Sequence, residues 1–536
     1  MTRKTQGPSR RNLLAGMAIY GAAAPLVMNL SAIGTAAAQA AGAGAPYRAL
    51  VCIFMQGGND SNNLLLATDQ GSFGQYWAAR ISGTDPIALM PVGTPPVAIG
   101  ATSSVTGRVV KTTDQPEHWG GVLAITPATT QQVPVGNRVG SATNPTRTFA
   151  LHPMLSATRG LFASGKVAAI ANVGTLIAPL TKAAYLHPVA ATQIPQRLFS
   201  HADQQAAWQS GGLDGSATGW GGEMADTFQA AATGGGDFSS ITTASNTPFP
   251  QGVSTKSFRV NFAANKASAQ TIPLAVQTGT YNESSTFLSE LRASLQDGSS
   301  KNQMVQTYAA AVAHSIQTPV VYNGALAASG GPYVSVPIPP AFTDPIAGKV
   351  VGNPLTDQIQ AVVQTAAAHA ALGVQRQVFF VQYGSFDTHD GENPRQGLLL
   401  AQLDHALAYL DSALTKLGLS DAVTAFTASD FNRTFTTNGD GTDHAWGGHH
   451  LVVGGAVKGG DIYGAYPTLG VDKAANGSVP AFYNPDMVGT SIIPTTSVET
   501  YMATMAAWMG VTPAQMATIF PKLANFSVQN LGFMKA

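Results

Sequence analysis

The chain has 536 residues, balances 28 Lys and Arg against 28 Asp and Glu, and is 45% apolar but only 10% charged. This composition excludes a disordered chain, and with no Lys/Arg block beyond the first residues it predicts neither a nucleic-acid partner nor an anionic membrane surface. A single cysteine, Cys52, set inside an apolar run, predicts no disulfides.

At the start, "PSRRNLLAG" places Arg10 and Arg11 before an apolar stretch that ends in the small-residue run "GTAAAQAAGAGA". Residues 1–40 read as a twin-arginine export signal cut near Ala38 or Ala40, which predicts a periplasmic or extracellular protein. Pro25, Asn29 and Ser31 interrupt the stretch and no stop-transfer pattern follows, so a stable membrane span is the poorer reading. Residues 41–536 read as one α/β domain.

Short branched apolar runs then predict buried strands: "ALVCIFM" (49–55), "VAAIANV" (167–173), "QVFFVQY" (377–383), "AVTAFTA" (422–428) and "HLVVGG" (450–455). Helical periodicity lies between them at 356–372 and 394–418, the second stopped by Gly418, and a last helix is predicted after Thr496 in "SVETYMATMAAWMG". The alternation predicts a doubly wound, mostly parallel sheet. Two Gly/Pro/Thr-rich stretches, about 84–146 and 233–353, break the rhythm and read as insertions that cover an edge or roof a cleft. The second holds one helical piece around "STFLSELRASLQ".

Ligands of open α/β sheets sit beyond the carboxyl ends of the strands. After the first run comes "QGGNDSNN", with Asp60 and Ser61. After the third comes "GSFDTHDGEN", with Asp387, His389 and Asp390. After the fourth come "SDFNRT", with Asp430 and Arg433, and "TNGDGTDHAWGGHH", with Asp443, His444, His449 and His450. Each motif alone reads as a helix cap or a satisfied loop. Together they deliver carboxylates and imidazoles to one edge, a donor set suited to a divalent metal such as Zn or Ca/Mn. Asp60, Asp387, His389, Asp430 and His444 are the candidate ligands, enough for one closed site or two open ones. Ser61 is a candidate nucleophile and Arg433 a candidate bidentate clamp for an anionic group. His201, in "SHADQQAAWQSG", is a weaker candidate for a cleft contact or an extra ligand; His152 and His187 read as structural, and His314, His369 and His405 as packing or surface residues. "GGND" also matches a block of lipase-like esterases, but their Gly-Asp-Ser nucleophile block is missing upstream.

In order, "GGNDSNN", "LHPMLSATRGLFASGKVAAIANVG", "SHADQQAAWQSG", "FDTH", "SDFNRT" and "GTDHAWGG" resemble the secreted twin-arginine family named domain of unknown function 1501, over nearly the whole mature chain. That family is similar in turn to the alkaline phosphatase and sulfatase superfamily. The resemblance implies that superfamily's α/β fold and metal roles for Asp60, Asp387, His389, Asp430 and His444. Two departures stand out. Phe431 occupies a place where the superfamily commonly has a histidine ligand, and its Ser or Thr nucleophile usually lies later than Ser61. The expected function is an exported metal-dependent hydrolase of a phosphate, sulfate or related ester on a small molecule or glycan. The alternative is a non-catalytic periplasmic or cell-surface binding module that retains a degenerate site.

Overall fold

A computed structural model describes residues 46–140, 145–190, 194–211, 216–229, 236–244, 247–269, 293–294, 297–473 and 482–536. The segment expected to be an export signal, residues 1–40, and most of the expected helical piece at "STFLSELRASLQ" lie outside the described residues.

Nine strands form the central sheet: β1 (Arg48–Met55), β2 (Val167–Gly174), β3 (Ser240–Thr242), β4 (Phe258–Arg259), β5 (Arg376–Tyr383), β6 (Val423–Ser429), β7 (Gly448–Val453), β8 (Asp461–Tyr463) and β9 (Thr496–Ser497). Their order is β8-β2-β7-β6-β1-β5-β3-β4, with β9 also paired to β2. All pairings are parallel except those of β7, which runs antiparallel to β6 and β2. The apolar run of β7 carries no mark of direction. The loop joining it to β6 holds no helix, and a parallel return needs a long crossover.

Alternation along β1 explains why a continuous apolar run is required here. Ala49, Val51, Ile53 and Met55 enter one core, and Leu50, Cys52 and Phe54 enter the other. Successive strand side chains point to opposite faces, so a strand covered on both sides has no position that tolerates water. Each large apolar side chain so buried stabilises the fold by roughly 1.5–3 kcal/mol.

The helices that cover these faces are α1 (Gln70–Arg80), α2 (His201–Ser210), α3 (Trp220–Gln229), α4 (Gln303–Ala327), α5 (Pro354–Ala367), α6 (Glu392–Lys416) and α7 (Val498–Met509). α5 and α6 pack Leu355, Ile359, Leu400, Leu403 and Leu407 onto the first face. α2, α3 and α7 bring Trp208, Trp220, Met224, Tyr501 and Met505 to the second. Their starts follow from local chemistry. Asn353 accepts from the Leu355 and Thr356 backbone N–H groups with Pro354 at the first helical position, and Ser497 caps α7.

The stretch at 84–146 contributes a short strand, Leu123–Ile125, that pairs with Phe149–Leu151, itself paired with Leu65–Ala67. The stretch at 233–353 does more than cover. Its β3 and β4 extend the central sheet beyond β5, an addition too short to show as an apolar run. Among the described residues no helix is long and apolar enough to cross a membrane, and the one cysteine is a buried free thiol.

Candidate metal site

The parallel register sets the site. Met55 of β1 lies level with Tyr383 of β5 and Ser429 of β6, so the loops after all three leave the sheet side by side. β7, being antiparallel, begins at that same edge, and the segment that precedes it arrives there too. The crowding demands glycine. Gly57 has φ +112°, and a Cβ there would stand 2.5 Å from the Asp387 backbone nitrogen; at Gly58, with φ +84°, it would stand 2.5 Å from the Phe431 ring. Fully buried Arg433 then ties the loops together. Its Nε donates to the Gly58 carbonyl at 2.8 Å and its Nη1 to the Thr442 carbonyl at 3.2 Å, while Nη2 serves the carbonyls of Gly57 and Phe386 and the Asp387 carboxylate.

Asp387 sits half-exposed at the centre of a ring of imidazoles. Its carboxylate lies 3.6 Å from His201 Nε2, 3.2 Å from His389 Nε2 and 3.5 Å from His444 Nε2. His201, Asp387 and His444 offer ligand atoms that all fall within 4.8 Å of one another. Burial raises the Asp387 carboxyl, but the hydrogen bond and charge of Arg433, with His201 and His389, more than offset this and hold it below the usual carboxylate range.

The far side of each ring fixes what the near side offers. His201 Nδ1 meets Asp430 Oδ2 at 2.7 Å, His444 Nδ1 meets the Phe199 carbonyl at 2.9 Å, and His389 Nδ1 meets Asp443 Oδ1 at 3.1 Å. Carbonyl and carboxylate oxygens only accept, so each Nδ1 carries a proton, and each ring turns its Nε2 toward Asp387. Burial lowers the His444 pKa, with the charges of His201, Arg433 and His389 acting the same way, and favours the neutral form of the His444 ring. His389 Nε2 and His444 Nε2 are 2.9 Å apart. Two lone pairs at that distance repel unless a proton or a cation lies between them. His201 Nε2 is buried and has no hydrogen-bond partner. Anchoring of the far ring nitrogen to a carboxylate or a carbonyl is shared with metal-ligating histidines.

The site therefore differs from the set expected from sequence. The structure brings together Asp387, His389 and His444 and adds His201. Asp430 stands behind His201: Oδ1 accepts from the Gly57 N–H at 3.2 Å, and Oδ2 accepts from His201 and, at 2.9 Å, from Gln205 Nε2. Its oxygens are spent on orientation. Asp60 is not brought to the group. Both of its oxygens bind the Arg80 guanidinium, Nη2 at 3.1 Å, and Oδ1 also accepts from Asn62 Nδ2 at 2.9 Å. Burial raises the Asp60 carboxyl, but Arg80 overrides it and the pKa falls; neighbouring Glu392 is pushed well up by burial and by the Asp60 charge. Ser61 is buried, donating through Oγ to Asn432 Oδ1 at 2.9 Å and accepting from the His449 N–H at 2.8 Å, with no base in reach among those contacts. Arg433 is consumed by the protein, which leaves no fork for an anionic clamp. Phe431 packs between the rings of His201 at 4.8 Å and His444 at 4.5 Å and offers no ligand atom.

Residues 47–519 match the family model described as a protein of unknown function, DUF1501. The chain is a DUF1501 protein. No curated protein matches it. In this DUF1501 chain, sequence reading undervalued His201 and missed Gln205. The signal was present, since both stand on α2 four residues apart and so on one face of the helix.

Proposed function

We propose that this DUF1501 protein is an exported hydrolase that uses one divalent cation to cleave a phosphate, sulfate or related ester on a small molecule or glycan. Arg10–Arg11 and the small-residue run behind them support export by the twin-arginine route, and the chain order of the strand-end motifs supports kinship with alkaline phosphatases and sulfatases. The observation that carries the reading is the convergence of three Nε2 atoms on Asp387, each ring locked from behind. His201, Asp387 and His444 would hold the cation with His389 beside them, and an imidazole-rich set favours Zn²⁺ over Ca²⁺. A bound ion of this kind polarises an ester oxygen and lowers the pKa of water. The protein's part is to keep three rings aimed, to hold Asp387 ionised through Arg433, and to fill the flank with Phe431, which supports one cation rather than two. With Ser61 locked by Asn432 and His449, the nucleophile is water rather than a side chain.

The test is a panel of phosphate, sulfate and carboxylic esters assayed with Zn-loaded protein and with the His444→Ala variant. Turnover lost in the variant supports the hydrolase; equal turnover in both, or none from either, contradicts it. A second reading, a binding module on a degenerate site, is favoured by Phe431 and by the engagement of both Ser61 and Arg433. It predicts metal binding and ligand retention without turnover of any ester.

A further inference from the structure

α6 begins with Glu392, which is 1% exposed. An acid in the first turn of a helix suits the helix dipole and ordinarily keeps its charge in water; this one is turned into the protein. Its Oε2 accepts from Thr442 Oγ1 at 2.7 Å and, more weakly, from Thr388 Oγ1 at 3.5 Å, and both threonines are buried. Thr388 stands between Asp387 and His389, and Thr442 stands two residues before His444. One carboxyl therefore meets both of the segments that carry Asp387, His389 and His444.

The two segments lie directly on each other. The Thr442 N–H donates to the Thr388 carbonyl at 3.0 Å and the Glu392 N–H to the Asp440 carbonyl at 2.9 Å, and a Cβ at Gly441 would stand 2.5 Å from the His389 carbonyl carbon. With Arg433 on the Thr442 carbonyl, every polar group of Thr442 has a partner. On the outside the segments are joined by Asn438 Nδ2, which donates to the His389 carbonyl at 3.0 Å, and by the contact of His389 with Asp443. Both of these are exposed, where polar pairs hold weakly; the tie shielded from water is the one through Glu392. Its Oε1 accepts from Asn63 Nδ2 at 3.5 Å and stands 3.9 Å from Arg80 Nη1, which anchors the carboxyl from behind. Because His389 Nε2 and His444 Nε2 are 2.9 Å apart, a slip of either segment moves the point on which they converge.

We propose that Glu392 is a positioning residue for the ring around Asp387: through the Thr388 and Thr442 hydroxyls it holds the 387–389 and 442–444 segments in the register that aims His389 and His444 at one point. The proposal rests on the metal reading and adds to it a residue that touches no cation itself. Glu392 acts here as a hydrogen-bond acceptor. Burial and the Asp60 charge push its carboxyl well up, so an uncharged amide can serve in its place.

Co²⁺ titration of the full chain, read by visible absorption for geometry and by competition with a chelator for affinity, tests it. Thr442→Val keeps the shape and deletes the hydroxyl; it should weaken binding by about tenfold or more, as changes behind metal ligands do, and shift the spectrum. Glu392→Ala should do the same, and Glu392→Gln, which retains an acceptor oxygen, should bring back the affinity and spectrum of the wild type. A residue that only stabilises the fold would lower the melting temperature and move neither readout. Thr442→Val and Glu392→Ala that melt earlier but bind Co²⁺ with wild-type affinity and spectrum would overturn the proposal and leave the metal reading standing, and so would Glu392→Gln as weak as Glu392→Ala. Wild-type protein that binds no Co²⁺ would remove the metal reading itself, and the proposal with it. Thr442→Val keeps the test decisive if Glu392→Ala does not fold.

Discussion

Replacing Asp430 by Asn isolates the role given to the carboxylate behind His201. The amide keeps one acceptor oxygen where Asp430 now accepts from the Gly57 N–H at 3.2 Å, His201 Nδ1 at 2.7 Å and Gln205 Nε2 at 2.9 Å, and it removes the charge that makes the His201 bond strong. His201 then loses the partner that fixes its tautomer and aims Nε2 at Asp387. Changes to such outer partners typically lower metal affinity by about 10–100-fold, which at about 1.4 kcal/mol per tenfold is about 1.4–2.8 kcal/mol. The assay is a Zn²⁺ competition titration against a chromophoric chelator, with wild type and Asp430→Asn compared as folded proteins of matched thermal stability. The His201→Ala variant, which removes a ligand outright, should lose more than Asp430→Asn. Wild-type affinity in Asp430→Asn would refute the claim that Asp430 works through His201, and affinity lost as fully as in His201→Ala would make Asp430 itself a ligand.

Four further outcomes follow from the same contacts. Ser61→Ala removes the acceptor of the buried His449 N–H and should cost about 1–3 kcal/mol in denaturant unfolding while leaving metal-dependent turnover intact; loss of turnover at unchanged metal content would restore Ser61 as nucleophile. Arg80→Met strands the Asp60 carboxylate in the core, where the guanidinium now pairs with it, and should destabilise by about 3–5 kcal/mol; a smaller loss would show that Asp60 is not charged there. Gly57→Ala forces a side chain into a φ of +112° against the Asp387 backbone, so the folded variant should bind less metal as well as melt earlier. Burial, with the charges of His450 and Arg147, pulls His449 down to about 3. Its folded pKa lies below the unfolded value of about 6.5, so its contribution is fully present above about 6.5 and is lost as pH falls toward 3. Between pH 6.5 and 5 the loss is on the order of 2 kcal/mol, and His449→Gln should lose correspondingly less stability than wild type over that interval in denaturant melts; equal losses would contradict it.

Most of the sheet was legible because a strand covered on both faces must be largely apolar along its length, and the runs at 49–55, 167–173, 377–383 and 422–428 are, with only Asn172, Gln377, Gln382, Thr424 and Thr427 as polar interruptions. The direction of β7 was not, because burial is the same either way and only the helix-free loop before it decides. β3 and β4 were hidden in a Gly/Ser/Thr-rich stretch by their length. At the site, Asp387, His389 and His444 could be found because their motifs directly follow strand ends or precede β7. Asp60 follows a strand end just as closely, and what diverts it is Arg80, which arrives from the end of α1 twenty residues later and has no pattern that announces a partner. His201 was undervalued for the converse reason, since it arrives on a helix rather than from a strand end. Asp430 shows the limit of reading ligands from residue type alone, because the same carboxylate can hold a cation or hold the histidine that holds it, and only its distance to His201 Nδ1 separates the two.

The central claim is that the imidazoles around Asp387 exist to bind a divalent cation, and elemental analysis of the protein purified without chelators tests it most directly. The account predicts one bound divalent cation per chain, Zn²⁺ foremost, in the wild type, and its loss in both Asp387→Ala and His444→Ala under conditions where each variant remains folded. Wild-type protein that carries no transition metal or calcium above background and takes up none on dialysis against Zn²⁺, or variants that retain it in full, would contradict the account.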